Sequence, residues 1–570
     1  MSSNIKTYVN CDAVHVIWSY DVRIPGCRGF ALIRKRNGGQ EETVNTFVGF
    51  EGETAPKGTY KPSTTWPVQK FMWSDYQGKN DEQTTFKFDN TEGDTLEYKI
   101  VPMTGTKDSL VRDDANATAW SNPVKVNAAS GINTFAYFNR GVIMSQFVAR
   151  RLGDAGSKTA SLKKLIAKKG DSTRNFLAGK LRLALLQLFA EAKAIKGKIY
   201  GAMFELNDPD IMDALKSLGK SANIILSNGA HKKKGDDENK TSRNALKKTI
   251  NIFNRMVPTG RLAHNKFFVL CDKNNKPVKA WTGSTNWSMT GLCTQANNGI
   301  LFCDNETASF YFDQWKALKT AKDDFTKALE SSNDEVKKCK KSARRIWFTP
   351  LHDLKDLDDA NELINGAKHG ILFLMFNPGP HGTLLNTIIE RNSPQSPDYD
   401  ASLYIHGVVN QDPSTKKTPV VGLFHRGEYV PANFDIVMPE GINEQMSYWA
   451  SEINRSQFLK QIGWAMVHSK IIVIDAFGEH PVVMTGSHNL GPKASSSNDD
   501  NLVIIENDPG LAAAYAVNIM SVYNQYRWRY YMSQSKHPDQ WTGLQDNDTW
   551  QDGYFGGAKL NELKFWLGLQ

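Results

Sequence analysis

The first 130 residues alternate between short hydrophobic runs and clusters of glycine, asparagine, aspartate and proline. Apolar and polar positions that alternate with period two are typical of strands with one buried face. Turn residues at this spacing predict an all-β sandwich over residues 1–130. The runs are VHVIW at 14–18, GFALIRKR at 29–36, QTTFKFD at 83–89, LEYKIVPM at 96–103 and NPVKVN at 122–127.

From about Ile132 the pattern becomes α/β, because helical periodicity alternates with short buried apolar runs. The same order of elements recurs after residue 340. We predict two similar α/β halves, residues 131–340 and 341–570, that meet at an interface. The predicted elements are helices at 179–195, 208–219, 360–368 and 382–391, and strands at 198–204, 222–228, 370–376 and 402–409.

One compound motif occurs in each half. Short apolar runs, rich in β-branched or aromatic residues, predict that each copy is a hairpin of two strands. A histidine and a lysine two positions apart on a strand share one face. The predicted strands are Phe267–Leu270, Val278–Trp281, Ile471–Ile474 and Pro481–Thr485. The motif residues are His264, Lys266, Asp272, Gly283, Ser284 and Asn286 in the first copy, and His468, Lys470, Asp475, Gly486, Ser487 and Asn489 in the second.

Each hairpin therefore gathers an imidazole, an ammonium, a hydroxyl and an amide. Lysine and asparagine neutralise and hydrogen-bond the oxygens of an anionic tetrahedral group, and serine adds a donor. Two imidazoles facing one phosphate permit a two-step displacement, in which one attacks phosphorus and the other protonates the leaving oxygen. The lysines and asparagines together supply the charge and the hydrogen-bond donors that Mg²⁺ would provide elsewhere, so the sequence predicts no metal and no cofactor.

The duplicated H-x-K-x4-D with a trailing G-S-x-N resembles the phospholipase D superfamily, closely over the hairpins and more loosely over residues 131–570. The resemblance implies a phospholipase D-like fold of two halves related by a pseudo-two-fold axis, with the first histidine as nucleophile and the second as general acid. The implied catalytic residues are His264, Lys266, Asp272, His468, Lys470 and Asp475. The implied phosphate-binding residues are Ser284, Asn286, Ser487 and Asn489.

The first copy departs from the family pattern, because five residues rather than four separate Lys266 from Asp272. The extra residue predicts a β-bulge after the histidine and lysine. Residues 1–130 resemble a fibronectin type III module in layout, with Trp18 early and Tyr98 in a penultimate strand.

Composition limits the partners and the compartment. A net charge of +9 suits an anionic partner, either a phospholipid surface or nucleic acid. Six cysteines without a C-x2-C pair argue against a zinc site and favour reduced thiols, with a Cys11–Cys27 bridge as the alternative. The sequence shows neither a signal peptide nor a membrane-spanning run, so we expect a protein that is cytoplasmic or secreted without a cleaved signal. Because one chain carries both motifs, it does not need to dimerise, and we expect a monomer.

The substrate stays open between three hypotheses. Two complete motifs on one chain favour a phospholipase D that hydrolyses the headgroup ester of glycerophospholipids and exchanges headgroups with alcohols. The alternative is a nuclease of the same superfamily, and a third reading is a protein that binds phosphate without catalysis. The charge-dense stretch 231–240 is interpreted as a solvated loop, with a phosphate-binding lid as the alternative.

Overall fold

The chain is described by a computed structural model. The described residues are 1–53, 59–76, 93–127, 129–130, 133–141, 158–231, 233–410, 413, 434–437, 467–534, 543–556 and 559–569. The strand predicted at 83–89 lies outside them.

The N-terminal part is the predicted β-sandwich. Strands β1, β2 and β7 form one sheet in that order, and β10, β8, β3 and β4 form the other, with β9 paired to β8 and β5 to β6. The sheets pack face to face around Trp18 and Phe30, whose rings lie 5.4 Å apart. The strands are β1 (Ser3–Val9), β2 (Ala13–Tyr20), β3 (Gly29–Arg36), β4 (Glu41–Thr43), β5 (Asn45–Thr46), β6 (Lys61–Pro62), β7 (Met72–Tyr76), β8 (Thr95–Thr106), β9 (Ser109–Arg112) and β10 (Val124–Lys125).

The remainder contains two eight-stranded sheets with the same strand order. The first runs β11-β12-β19-β18-β17-β13-β14-β15, and the second runs β20-β21-β28-β26-β25-β22-β23-β24. The first-half strands are β11 (Ala129–Ser130), β12 (Thr134–Phe138), β13 (Lys198–Met203), β14 (Ala222–Ser227), β15 (Asn251–Arg255), β16 (Leu262–Ala263), β17 (Lys266–Cys271), β18 (Pro277–Gly283) and β19 (Asn298–Phe302). The second-half strands are β20 (Lys337–Lys338), β21 (Arg344–Phe348), β22 (Gly370–Met375), β23 (Tyr404–Val409), β24 (Phe434–Val437), β25 (Lys470–Ile474), β26 (Val482–Gly486), β27 (Asn498–Asp499) and β28 (Asn501–Glu506).

Helices flank these sheets, which confirms the α/β prediction for this part of the chain. The α-helices are α1 (Lys158–Ala167), α2 (Ser172–Ala194), α3 (Pro209–Leu218), α4 (Lys240–Leu246), α5 (Met289–Cys293), α6 (Asn305–Ala321), α7 (Lys327–Asn333), α8 (Lys355–Asn365), α9 (Leu384–Glu390), α10 (Pro492–Ser497), α11 (Pro509–Gln534), α12 (Asp552–Phe555) and α13 (Lys559–Leu567). Short 3₁₀ turns are Asp114–Asn116, Gly219–Ser221 and Thr549–Gln551. None of the helices in the described ranges is long and apolar enough to cross a membrane.

Several expectations from the sequence can be compared directly with the structure. Both hairpins form, as β17–β18 and β25–β26, and the first has a register shift at Leu270/Cys271, where the bulge was predicted. Helix α2 begins before the predicted residue 179, and the break lies at Gly179 itself, whose φ of 53° interrupts the helix. The alternative of a Cys11–Cys27 bridge is wrong, because all six cysteines are free.

The two halves exchange hydrogen bonds in a reciprocal pattern. Asn501 of β28 accepts hydrogen bonds from Thr282 of β18 (2.8 Å) and Tyr311 of α6 (3.0 Å), both in the first half. Asn298 of β19 donates to Thr485 of β26 (2.8 Å) and Tyr515 of α11 (3.1 Å), both in the second. Buried polar groups need such partners, so each half satisfies an asparagine of the other.

A short parallel ladder, β16 with β27, adds a second link between the halves. The guanidinium of Arg255, at the end of β15, forms a two-pronged ion pair with Asp499 of β27, and both side chains are buried. Arg255 also donates to the carbonyl of Lys322. This ion pair fixes the strand that precedes Asp500.

We expect Arg255→Met to lower the free energy of unfolding by about 3 kcal/mol, because it leaves the Asp499 carboxylate buried without its counter-charge. Urea unfolding measures the change. Lys316→Met is the matched control: its pair with Asp313 is exposed (54% and 67%), so its loss should change stability by less than about 1 kcal/mol. Equal effects of the two substitutions would contradict a structural role for the buried pair.

Candidate active site

The sequence predicted that His264 and His468 lie on strands. In the structure each lies two positions before its strand, since β17 begins at Lys266 and β25 begins at Lys470. The backbone N–H of His264 donates to the carbonyl of Asp499 (2.9 Å), and that of His468 donates to the carbonyl of Ala296 (2.9 Å). Each histidine is thus anchored to the opposite half. Both side chains are buried, with 3% and 4% of their surface exposed.

The His264 imidazole is held by a carboxylate from the second half. Its Nδ1 lies 2.8 Å from Oδ1 of Asp500, which is fully buried. Because a carboxylate accepts, Nδ1 carries the proton and donates it, which leaves Nε2 with its lone pair. The other Asp500 oxygen has no partner among the described residues.

The His468 imidazole is held by neutral acceptors from the first half. Its Nδ1 lies 3.0 Å from the carbonyl oxygen of Ser284 and 3.0 Å from Oδ1 of Asn297. The Ser284 hydroxyl donates to the same Asn297 oxygen at 2.7 Å. The two histidines are therefore oriented alike, but only His264 has a negatively charged partner.

Each lysine is tied to the histidine of its own motif. Nζ of Lys266 donates to the carbonyl of His264 (2.7 Å), and Nζ of Lys470 donates to that of His468 (2.6 Å). Both ammonium groups are buried, and they lie 4.8 and 4.7 Å from the ring centroids of Phe204 and Phe376 respectively. The same rings contact the imidazoles, at 4.6 and 4.7 Å.

Burial of this much positive charge lowers the pKa of every basic group in the site. Burial lowers the pKa of His264 to about 4, against the opposing effect of Asp500. Burial and the charges of both lysines and His264 lower the pKa of His468 well below its usual value. Burial likewise lowers the pKa of Lys266 to about 7 and that of Lys470 well below its normal range. These groups act on one another's pKa, and a bound anion would stabilise their charged forms.

The serines and asparagines of the motifs occupy different positions in the site. Ser284 and Ser487 are fully buried, and their hydroxyls bond to Asn297 and Asn501. The two hydroxyls therefore bond to asparagines that support the site. Oδ1 of Asn286 and Oδ1 of Asn489 are buried and lack partners among the described residues, so both amide oxygens can still accept a hydrogen bond.

Asp272 and Asp475 are not brought to the imidazoles. Asp475 lies five residues beyond its lysine and Asp272 lies six, each just past the far end of a strand, which corresponds to about 16 to 20 Å of extended chain. The Asp272 carboxylate accepts from the N–H groups of Asn274 and Lys276 in an exposed turn. The Asp475 carboxylate accepts from three backbone N–H groups, those of residues 368, 369 and 370.

The sequence interpretation missed Asp500, Asn297 and Glu205. A signal for the first two was present, because Asn297 follows Ser284, and Asp500 follows Ser487, by the same 13 positions. Glu205 directly follows Phe204, just beyond the end of β13, and its negative charge acts on the pKa of Lys266 and Lys470. No local motif marks it. Among the residues that the structure describes, no group of three histidine, cysteine or acidic side chains could hold a metal ion.

Comparisons with known proteins found the following similarities. The family model described as "Cardiolipin synthase, PLD-like domain" matches residues 433–523. No curated protein sequence matches the chain. The structure is similar to phosphatidylserine synthase from Haemophilus influenzae Rd KW20 (10% identity, 64% of this chain, 89% of that one, TM-score 0.37). It is also similar to Nuc, a phospholipase D family member from Salmonella typhimurium (16%, 32%, 94%, 0.21), and to polyphosphate kinase from Porphyromonas gingivalis (12%, 56%, 45%, 0.35), of which this chain spans less than half.

We expect anion binding to weaken above pH 7, because the pKa of Lys266 is lowered to about 7 and an anion prefers the protonated form. Below pH 7 the lysine is charged with or without the anion, so its own contribution to the affinity is constant there. Above pH 7 binding must take up a proton, and affinity should fall by as much as about ten-fold per pH unit. Dimethyl phosphate is a suitable probe, since its own charge is constant in this range.

Calorimetric titration at pH 8, in two buffers with different ionisation enthalpies, measures this proton uptake. Lys266→Met should reduce the uptake, because the pKa values of the remaining basic groups of the site are lowered as well. Affinity that is independent of pH between 6 and 9 in the wild type would contradict a titrating lysine in the pocket.

Asp475 is expected to act on stability. Asp475→Ala leaves three backbone N–H groups without their acceptor and should lower the free energy of unfolding by about 2 kcal/mol. Asp272→Ala removes bonds in an exposed turn and should cost less than about 1 kcal/mol. Thermal unfolding of the two variants measures the difference, and a larger loss for Asp272→Ala would refute this assignment.

Proposed function

Since this chain belongs to the phospholipase D superfamily, we propose that it is a phosphodiesterase that hydrolyses the headgroup ester of glycerophospholipids through a phosphohistidine. The observation that carries the proposal is the pair of buried imidazoles, each fixed by a residue of the opposite half. The charges of Lys266, Lys470 and His264 all act on the pKa of His468, which supports one shared site.

The different partners of the histidines divide the roles. The Asp500 carboxylate holds the Nδ1 proton of His264 and makes Nε2 more basic, which suits a nucleophile. His468 has only neutral acceptors. A proton on its Nε2 is therefore released more readily, which suits the general acid. This division agrees with the order that the family resemblance implies.

In the first step, the lone pair of His264 Nε2 forms a bond to phosphorus, and the bond from phosphorus to the leaving oxygen breaks. The leaving oxygen takes the proton from His468 Nε2. A water molecule then loses a proton to His468 and attacks phosphorus, and the P–N bond breaks. An alcohol in place of water yields a new diester, which is headgroup exchange. Lys266 and Lys470 stabilise the non-bridging oxygens.

Two features support a lipid substrate. The family model that matches residues 433–523 is described by a lipid-synthesising enzyme. The chain also carries a net charge of +9, which favours association with an anionic membrane surface. Cleavage of nucleic acid by the same residues is the alternative outcome of the test.

The expected result is metal-independent release of choline or ethanolamine from phospholipid vesicles in the presence of EDTA. His264→Ala should reduce the rate by at least about 10³-fold, since covalent catalysis is lost. Single- and double-stranded DNA and RNA are assayed in parallel. The surface variant Lys316→Met serves as the control for handling and folding.

Acid-quenched samples with a ³²P-labelled phospholipid locate the covalent intermediate. Label should be found on the peptide that contains His264. Label on the His468 peptide would reverse the assigned roles, and cleavage of nucleic acid without headgroup release would overturn the lipid substrate. Absence of every activity would overturn the enzymatic proposal.

A further inference from the structure

A third histidine lies inside the second motif. His488 stands between Ser487 and Asn489 in the sequence, and its side chain is fully buried. The first copy has Thr285 at this position, whose hydroxyl donates to the carbonyl of Asn298 (3.0 Å). A buried imidazole needs hydrogen-bond partners for its ring nitrogens. Those partners show what His488 does in the second copy.

One ring nitrogen of His488 is held by two helices. Its Nε2 lies 3.0 Å from Oδ2 of Asp356, in the first turn of α8, and 3.1 Å from Oγ of Ser495, in α10. The Ser495 hydroxyl donates to the same Asp356 oxygen at 2.8 Å. All three side chains are fully buried. His488 therefore joins the motif hairpin to both helices.

The other ring nitrogen of His488 holds the backbone of its own loop. Its Nδ1 accepts from the N–H of Leu490 at 2.9 Å. A nitrogen that accepts carries no proton, so the ring proton is on Nε2 and is donated to the Asp356 carboxylate. Both ring nitrogens are thus engaged, and His488 can neither attack phosphorus nor transfer a proton. In this it differs from His264 and His468, whose Nδ1 atoms face acceptors.

The backbone of Leu490 is strained. Its φ of 64° lies in the left-handed region, which is unfavourable for a bulky side chain. The corresponding residue of the first copy, Trp287, does not have this conformation. The Leu490 side chain is fully buried, and its carbonyl accepts from the N–H of Leu384 (3.2 Å). Such strain persists only where neighbouring groups hold it, and His488 binds the N–H of the strained residue itself.

Asn489 lies between the two residues that this hydrogen bond joins. Its side chain is partly accessible, and its Oδ1 has no partner among the described residues. The backbone on either side, at His488 and Leu490, therefore sets the direction of the amide. A purely structural role would not need the polar pair, because an apolar side chain fills a buried position without the desolvation of an imidazole and the Asp356 carboxylate.

We propose that His488 is a positioning residue of the second motif. Anchored by Asp356 and Ser495, it holds Leu490 in the left-handed conformation and so directs the Asn489 amide toward the phosphate. The inference rests on the proposed function for the presence of a phosphate in the site. It applies to the second copy alone, since the first copy has neither the histidine nor the strained residue.

Calorimetric titration of the full chain with dimethyl phosphate measures this role. Asn489→Ala should weaken binding about ten-fold, through loss of a hydrogen bond to a charged group. His488→Leu should weaken it about five-fold, because the loop loses its anchor. His488→Asn should retain affinity within about two-fold, since an asparagine oxygen can accept from the N–H two residues further on. His480→Leu, a change of an exposed histidine in the turn between β25 and β26, should have no effect.

A double substitution separates positioning from stability. His488→Leu combined with Asn489→Ala should bind about as weakly as Asn489→Ala alone, because the amide that His488 positions is already absent. Losses that add would overturn the proposal, and so would equal losses in His488→Asn and His488→Leu. If His488→Leu does not fold, Asp356→Asn takes its place, since it removes the acceptor of Nε2, and the same lack of additivity is expected.

Turnover is measured separately with methyl p-nitrophenyl phosphate, a soluble diester whose leaving group is coloured. The same lack of additivity between His488→Leu and Asn489→Ala is expected in kcat/KM. Non-additive binding of dimethyl phosphate without turnover supports the positioning residue and overturns the proposed function. Turnover and binding that are both unchanged in His488→Leu leave the phosphodiesterase standing and overturn the positioning role.

Discussion

The interface between the two α/β halves is the constraint on which the site depends. Each half supplies a histidine but holds the histidine of the other, through Asp500 in one direction and through Asn297 and the Ser284 carbonyl in the other. The asparagines one position further along, Asn298 and Asn501, lock the sheets together with threonine and tyrosine hydroxyls. A displacement of one half would therefore disturb the interface and both imidazoles together.

Charge in the pocket follows from this packing. Burial lowers the pKa of two lysines and two histidines at once, and the carboxylates of Asp500 and Glu205 offset only part of the cost of the charged forms. Such an arrangement is stable when empty because basic groups give up protons. It becomes fully charged only when an anion enters, so the affinity for phosphate and the protonation of the general acid are linked.

Much of the fold and part of the site could be predicted from local patterns. The hairpins and two α/β sheets of the same strand order follow from apolar periodicity and from motif spacing, and the structure contains both. The predicted catalytic roles of Asp272 and Asp475 relied on their closeness to the histidines in the motif. The intervening residues form an extended strand, so closeness in sequence does not bring these carboxylates close to the imidazoles in space. Asp500, Asn297 and Glu205 could not be assigned, because their role depends on which half faces which, and a single hairpin carries no such information.

Because each histidine is held by residues of the opposite half, the joining of two unlike halves determines how the two histidines differ. Two copies of the first half alone, paired about a two-fold axis, would place an Asn297 against each His264. Two copies of the second half would place an Asp500 against each His468. Either symmetric assembly would contain two equivalent histidines. The difference between them exists only because unlike halves are covalently joined, so fusion allowed each position to specialise without a change in its own motif.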